Sequence, residues 1–383
     1  MVSAVDRVSG LRAGGNRTAI VDGPSSERRQ RVGYLDGIRG LAICGVLALH
    51  WIGSEFPFGR GGYLGVDLFF VLSGYIISTM LWRSRPPGRS VAAQYRTFLR
   101  RRVVRLYPAL IATILGTILI YAVLPAGRAR FADLLAPGFL ALVQGTAFSE
   151  ASGYMNPFGF TWSLSVEWMF YLVWPLIVLA ARGAGVAPRQ AAKAAGITAG
   201  AIYLGAMFQT PNWFYFGPLA RIPEMLIGGA LALSIVETTY YPPPRRPRMA
   251  VGIALLLVAA TAAFIAFAPA GSTPLYRFVG LPVAVCTGLD LIWLGLRINS
   301  GFIGWLSCRP LALLGRGSYS IYLWNSVGVD LFLRHNGHGQ PLVVVGAEAF
   351  GLALAVVSYQ FVELPFMRSQ RSALVSPAPG PVT

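Results

Sequence analysis

Three ionisable side chains interrupt one apolar stretch of this chain: Asp36, Arg39 and His50 in YLDGIRGLAICGVLALH. A neutral imidazole suits general base catalysis on a hydroxyl, because it takes up and returns a proton near neutral pH. On an α-helix advancing about 100° per residue, Arg39 and His50 share a face, about 16 Å apart along the axis. Asp36 returns to within roughly 40° of that face. Ionisable groups are costly in hydrocarbon and, where they occur, face a protein interior or a water-filled cavity. A histidine of this kind can also be purely structural, bonded to a neighbouring helix. Its alignment with Arg39 and Asp36 favours chemistry.

Other apolar segments carry charge as well. In FLRRRVVRLYPAL, Arg102 and Arg105 lie one turn apart. Their guanidinium forks can bind phosphate oxygens bidentately, or they can anchor the chain on lipid head groups. TWSLSVEWMFYLVWPL places Ser163 and Glu167 one turn apart, with Phe170 and Tyr171 beyond. A carboxylate opening an apolar helix is expensive unless paired, so Glu167 orients a histidine, accepts a proton or caps the helix. Arg221 and Glu224 in RIPEMLIGG read first as a structural ion pair, and Asp67 in GGYLGVDLFFVLSGYIIS presents the same choice. Ser73-Gly74 in that segment permits close helix contact, and Glu363 before Pro365 reads as a helix-end cap. Asp67, Ser163, Arg221, Glu224 and Asn325 are the candidates for contact with a substrate. His335 and His338 in RHNGHGQ lack the further ligands of a metal site, and no metal is expected. There is no G-x-S-x-G elbow, Walker loop or dinucleotide fingerprint in the chain.

The elements that position these residues follow from composition. Of 383 residues, 55% are hydrophobic and 12% charged, and the mean hydropathy is +0.58. Soluble domains carry about 25% charged residues, so most of this chain faces hydrocarbon or its own interior. The expectation is an all-α, polytopic membrane bundle of about ten spans: 34–53, 62–82, 103–124, 161–181, 194–208, 218–237, 249–269, 275–296, 311–333 and 341–362. Each run approaches the roughly 20 residues that cross a bilayer as a helix, the fifth being short. Residues 1–33 read as a disordered cytosolic extension, 34–367 as one transmembrane domain and 368–383 as a disordered tail; no signal peptide is evident. The net charge of +17 is almost all arginine, with Lys193 the one lysine. Those arginines cluster in alternate connections, while Arg60, Arg128, Arg130 and Arg334 fall in the others. That asymmetry predicts an N-in, C-in protein of the cell membrane rather than a nucleic-acid binder. Cys44, Cys286 and Cys308 have no paired spacing, so neither a disulfide framework nor a zinc site is indicated.

Taken in order, the segments resemble the acyltransferase 3 family of bacterial membrane O-acyltransferases. The resemblance covers about residues 33 to 367. It rests on YLDGIRGLAICGVLALH with its R-x10-H spacing, then GVDLFFVLSGYIIS, RRVVRLYP, TWSLSVEWMFYLVWP, RIPEMLIGG, GSYSIYLW and FVELP. It implies transfer of an acyl group, usually acetyl from acetyl-CoA, to a hydroxyl of a sugar or related acceptor. On that footing His50 corresponds to the catalytic histidine and Arg39 to its partner arginine. Arg102 and Arg105 correspond to positions that contact the acyl-CoA, and Glu167 to the motif glutamate that orients the histidine or relays its proton. One departure stands out: many members carry a histidine beside the tryptophan after SYSIYL, where this chain has Trp324-Asn325. Some members are also fused to an extracytoplasmic hydrolase-like domain that this sequence does not contain.

The working expectation is direct transfer. The donor's phosphates sit at Arg102 and Arg105, its pantetheine arm enters the bundle, His50 takes the acceptor's proton, and Arg39 or a backbone amide stabilises the oxyanion. A covalent route through Ser163 is the mechanistic rival. Polysaccharide, glycolipid and macrolide-type acceptors all suit the sequence. The competing classes are a transporter or flippase, for which buried charge is equally apt, and a non-catalytic scaffold.

Overall fold

The structure, a computed structural model, describes residues 24–53, 56, 58–84, 88–123, 132–153, 157–238, 240–269, 273–298, 301–336 and 341–368, with backbone alone at 24–32, 329–336 and 341–344. Arg128, Arg130, His338, residues 1–23 and residues 369–383 lie outside the described residues, as does the His335 side chain. Among the described residues there are helices and no strands. In chain order the α-helices are α1 (Pro24–Leu47), α2 (Leu64–Arg83), α3 (Val91–Val123), α4 (Leu135–Leu142) and α5 (Thr146–Ala151). Then come α6 (Trp162–Gly183), α7 (Pro188–Ala206), α8 (Pro211–Phe216), α9 (Pro218–Ile235) and α10 (Pro247–Phe267). The last four are α11 (Leu281–Arg297), α12 (Gly301–Leu306), α13 (Arg309–Asn336) and α14 (Pro341–Ser358).

Pro188, Pro211, Pro218 and Pro247 each open a helix. There the missing N–H would have had no intrahelical partner, and the fixed φ is already helical. Five-residue π turns occupy Ala48–Ile52, Tyr276–Gly280 and Tyr359–Glu363, each running into or out of a long helix. Such turns concentrate at functional sites, and these three carry His50, Tyr276 and Glu363.

Among the described residues, eight helical segments are long and apolar enough to cross a membrane. The protein is therefore a polytopic membrane helical bundle. The expected spans 194–208 and 311–333 are the helices α7 and α13, which are not among the eight; α13 carries Arg309, Arg316, Asp330 and Arg334 in its 28 residues. Helix α1 begins at Pro24, inside the stretch expected to be irregular. Only 11% of the apolar window of α10 is buried. A helix that is apolar all round and this exposed is one that hydrocarbon covers.

The most extensive packing is α2 and α7 against α9, and α1 and α14 against α13. Small residues allow two of these approaches. A Cβ on Gly74 would lie 1.9 Å from the Met225 carbonyl oxygen, and one on Gly315 would lie 1.8 Å from that of Asp36. The Gly74 contact is the close approach expected from Ser73-Gly74, and lipid offers no hydrophobic drive to replace it.

Candidate functional site

Helices α1, α2, α3, α6 and α13 line a cavity whose wall includes Arg39, Ser73, Arg102, Arg105, Ser163 and Glu167. A second cavity, of about 440 Å³, lies between the end of α2 and the start of α3, with Arg89, Gln94, Arg101, Arg102 and Arg105 in its wall. Arg102 and Arg105 belong to both. The charges of Asp36, Glu167, Glu363 and Arg105 all act on Arg39. In the wall of the first cavity, three guanidiniums (Arg39, Arg102 and Arg105) face one carboxylate (Glu167), a balance that suits an anionic guest.

Both oxygens of Glu167 are engaged. Ser73 Oγ donates to Oε1 at 2.6 Å and the Tyr171 hydroxyl to Oε2 at 2.9 Å. The Arg102 guanidinium lies 5.3 Å from the ring centres of both Tyr171 and Phe98, within cation–π range. Glu167 thus braces α2 against α6 and holds the ring on which Arg102 rests. The buried Nε of Arg105 has no hydrogen-bond partner among the described residues. A guanidinium is planar with donors all round, so this one retains donor capacity at the boundary between the cavities.

His50 sits in the π turn that follows α1. The π turn closes its ring over five residues rather than four, so it rotates less per residue than an α-helix. Only three of the eleven steps from Arg39 to His50 fall in that turn, so it rotates His50 by roughly 50° from its straight-helix position. Arg39 is in the cavity wall, while His50 meets α13, its Nδ1 lying 2.5 Å from Asn325 Oδ1. The amide orientation is set by its other end: Nδ2 donates to the carbonyls of Ile321 (3.1 Å) and Tyr322 (2.8 Å). Oδ1 therefore faces the imidazole, and an oxygen acceptor there requires the hydrogen on Nδ1. Nε2 is left as the nitrogen that carries the lone pair.

Tyr322, one turn before Asn325, lines the cavity and exchanges a 2.8 Å hydrogen bond with Ser163. The His50–Asn325 pair thus lies a turn of α13 beyond the cavity wall.

The remaining candidates are placed elsewhere. Asp36 pairs with Arg316 of α13 at 3.6 Å, half exposed, away from the cavity lining. Asp67, Arg221 and Glu224 are fully buried and close on one another. Arg221 Nη1 lies 2.7 Å from Asp67 and 3.1 Å from Glu224. Arg221 also contacts the Tyr276 hydroxyl, which donates to Asp67 at 3.0 Å, and packs against the rings of Trp162, Tyr215 and Tyr276. This network ties α2, α9 and the π turn before α11 together. Its geometry is that of the structural ion pair, and none of its three charges lines either cavity. Glu363 accepts from Ser320 of α13 at 2.7 Å inside the bundle.

Sequence reasoning passed over several residues. Tyr319 and Tyr322, three apart in GSYSIYLW, place polar atoms on one face of an apolar helix, a signal present in the sequence; Tyr319 donates to the Leu106 carbonyl at 2.8 Å. Arg182 donates to the Leu81 carbonyl at 2.5 Å and the Ser84 carbonyl at 2.6 Å, capping the end of α2 beside the second cavity. Arg316 offered no local signal, because its partner is on α1. Among the described residues, no three of His, Cys, Asp and Glu lie together as a metal-binding group.

Comparison with known proteins bears on this arrangement. Peptidoglycan O-acetyltransferase OatA of Listeria monocytogenes is 28% identical over 361 residues, which cover 89% of this chain and 56% of that protein. Putative peptidoglycan O-acetyltransferase YrhL of Bacillus subtilis is 29% identical over 358 residues, covering 86% of this chain and 54% of that protein. O-acetyltransferase OatA of Staphylococcus aureus is 29% identical over 373 residues, covering 87% and 57% respectively. The chain spans about half the length of these relatives. No solved structure matches it. Residues 32–360 match the acyltransferase-domain family. That match takes in Arg39, His50, all the cavity-lining residues and Asn325, and this chain belongs to the acyltransferase-domain family.

Proposed function

We propose that the protein is a cell-membrane O-acyltransferase that moves an acyl group, acetyl in the simplest case, from acyl-CoA to a hydroxyl of a sugar-containing acceptor. The observation that carries this reading is the pair of arginines shared by two cavities. Acyl-CoA is a polyanion joined through a long neutral arm to a thioester. A cavity with Arg89, Arg101, Arg102 and Arg105 in its wall suits the phosphates, and the cavity beyond Arg102 and Arg105 suits the arm. The relatives' names favour a cell-wall glycan over a glycolipid or macrolide-type acceptor. In this reading all ten long helices cross the membrane, both ends lie in the cytosol, and the arginine-lined cavity opens where acyl-CoA is made.

Transfer proceeds in one ternary complex. His50 Nε2 takes the proton of the acceptor hydroxyl, and that oxygen attacks the thioester carbonyl carbon. A backbone amide beside the reacting carbon stabilises the tetrahedral oxyanion; Arg39, about 16 Å from His50 along the helix axis, lies too far away to share it. Its collapse breaks the C–S bond, and the imidazolium returns the proton to the departing thiolate. The products are an ester and free CoA. The covalent alternative through Ser163 gains no support, since its hydroxyl is engaged with a neutral phenol.

The test is purified protein in vesicles, supplied with acetyl-CoA and muropeptide-type glycan. Release of free thiol that depends on the glycan, with a matching gain in acetyl mass, is expected. Glycan movement without thiol release would overturn the reading in favour of transport.

A further inference from the structure

Away from the cavities described above, helix α7 packs on α9 and α10 packs on α11. Between α7 and α10 runs an open groove floored by α9 and α11. Its apolar wall runs along α10 from Met249 to Leu257 and along α9 from Ser234 to Ile227. One end differs from the rest. Arg189 and Lys193 of α7, with Arg245 and Arg246 at the start of α10, form a basic rim, and all four side chains are exposed. Trp293 lies at the same end, in the position of an interfacial aromatic. From Arg246 to Leu257 is 11 residues, so the groove is about 16 Å deep, close to half of a hydrocarbon core of about 30 Å. It therefore has the depth of one leaflet, with cations where head groups lie.

One acidic group shares the groove. Asp290 of α11 is about a turn deeper than Trp293, and its Oδ2 is buried with no hydrogen-bond partner among the described residues. Four cations outweigh this single carboxylate, so charge favours an anionic guest. An unpartnered buried carboxylate oxygen in turn calls for a donor from that guest.

We propose that this groove binds an anionic phospholipid with a hydroxylated head group. The phosphate lies among Arg189, Lys193, Arg245 and Arg246, a head-group hydroxyl reaches Asp290, and the acyl chains lie along α9 and α10. Basic pockets between transmembrane helices recognise anionic head groups in this way.

Native mass spectrometry of the intact protein, released from vesicles containing phosphatidylglycerol, phosphatidic acid and phosphatidylcholine in equal amounts, tests it. Wild type is expected to retain one phosphatidylglycerol in preference to the other two. The double variant R245A/R246A should retain it about 30-fold more weakly, from about 1 kcal/mol per basic side chain at a membrane surface. Equal retention of phosphatidylcholine and phosphatidylglycerol by wild type would overturn the site without recourse to any variant. Equal retention by wild type and the double variant would do the same. Phosphatidic acid held as tightly as phosphatidylglycerol would remove the Asp290 contact.

Discussion

His50 and Asn325 are 275 residues apart in sequence, yet Nδ1 and Oδ1 meet at 2.5 Å. The contact joins the π turn at the end of α1 to the middle of α13. It selects one tautomer of the imidazole, because the amide's nitrogen is already committed to the carbonyls of Ile321 and Tyr322. An asparagine cannot relay a proton, but it can decide which ring nitrogen is basic.

The first prediction concerns that contact. Asn325→Ala should lower kcat by about 10- to 100-fold, the cost seen when a metal-bound histidine loses the group that orients it. The KM for acyl-CoA should stay unchanged, since Asn325 is not among the residues of either arginine-lined cavity. Asn325→Asp, which restores an acceptor oxygen, should recover most of the loss. A parallel fall in both variants would show that Asn325 matters for packing alone.

Arg105 governs a different parameter. Hydrogen bonds to charged groups contribute about 1.5–3 kcal/mol, so Arg105→Ala should raise the KM for acyl-CoA by roughly 10- to 100-fold. Dephospho-CoA donors should expose the same dependence in Arg102→Ala. An unchanged KM in both variants would move the donor's phosphates elsewhere.

Arg221 should matter for stability. Removing one member of a buried ion network leaves uncompensated charge and costs about 3–5 kcal/mol. Arg221→Met leaves Asp67 and Glu224 buried without their cation. The variant should unfold in detergent at a clearly lower temperature than wild type. An unaltered unfolding temperature would show that the network carries little of the α2–α9 contact.

Gly74 tests the same contact from the backbone side. Gly74→Leu must push the Met225 backbone away, whereas the space around Gly200 is open to 4 Å. Loss of the folded protein from membranes is expected for Gly74→Leu and not for Gly200→Leu. Equal yields of the two variants would contradict the close packing of α2 on α9.

Much of this architecture is legible in the sequence, and the exceptions have physical causes. Long apolar runs declare membrane helices because hydrocarbon leaves the backbone no other partners. Arg221 and Glu224 declare their pairing because three residues on a helix bring side chains to one face. Asp67, the third member of that network, needed the α2–α9 contact to be seen. The π turn at Ala48–Ile52 leaves no mark in composition, and no local signal puts Arg39 in the cavity wall while His50 meets α13. The partner of His50 could not be read locally either. Asn325 was visible as a departure from a family motif, and its role came from the packing of α13 against the end of α1. Glu167 was found as a costly carboxylate, but its bond to Ser73 needed the packing of α2 on α6 to be seen.

The most direct measurement is acyl transfer by His50→Ala reconstituted beside wild type, with its folding checked by thermal unfolding. A general base contributes on the order of 10²–10⁴ in rate. The variant should therefore keep about a hundredth of wild-type kcat or less while unfolding at the wild-type temperature. Folded protein that retains more than about a tenth of wild-type turnover would contradict the assignment, since loss of the base removes at least 10².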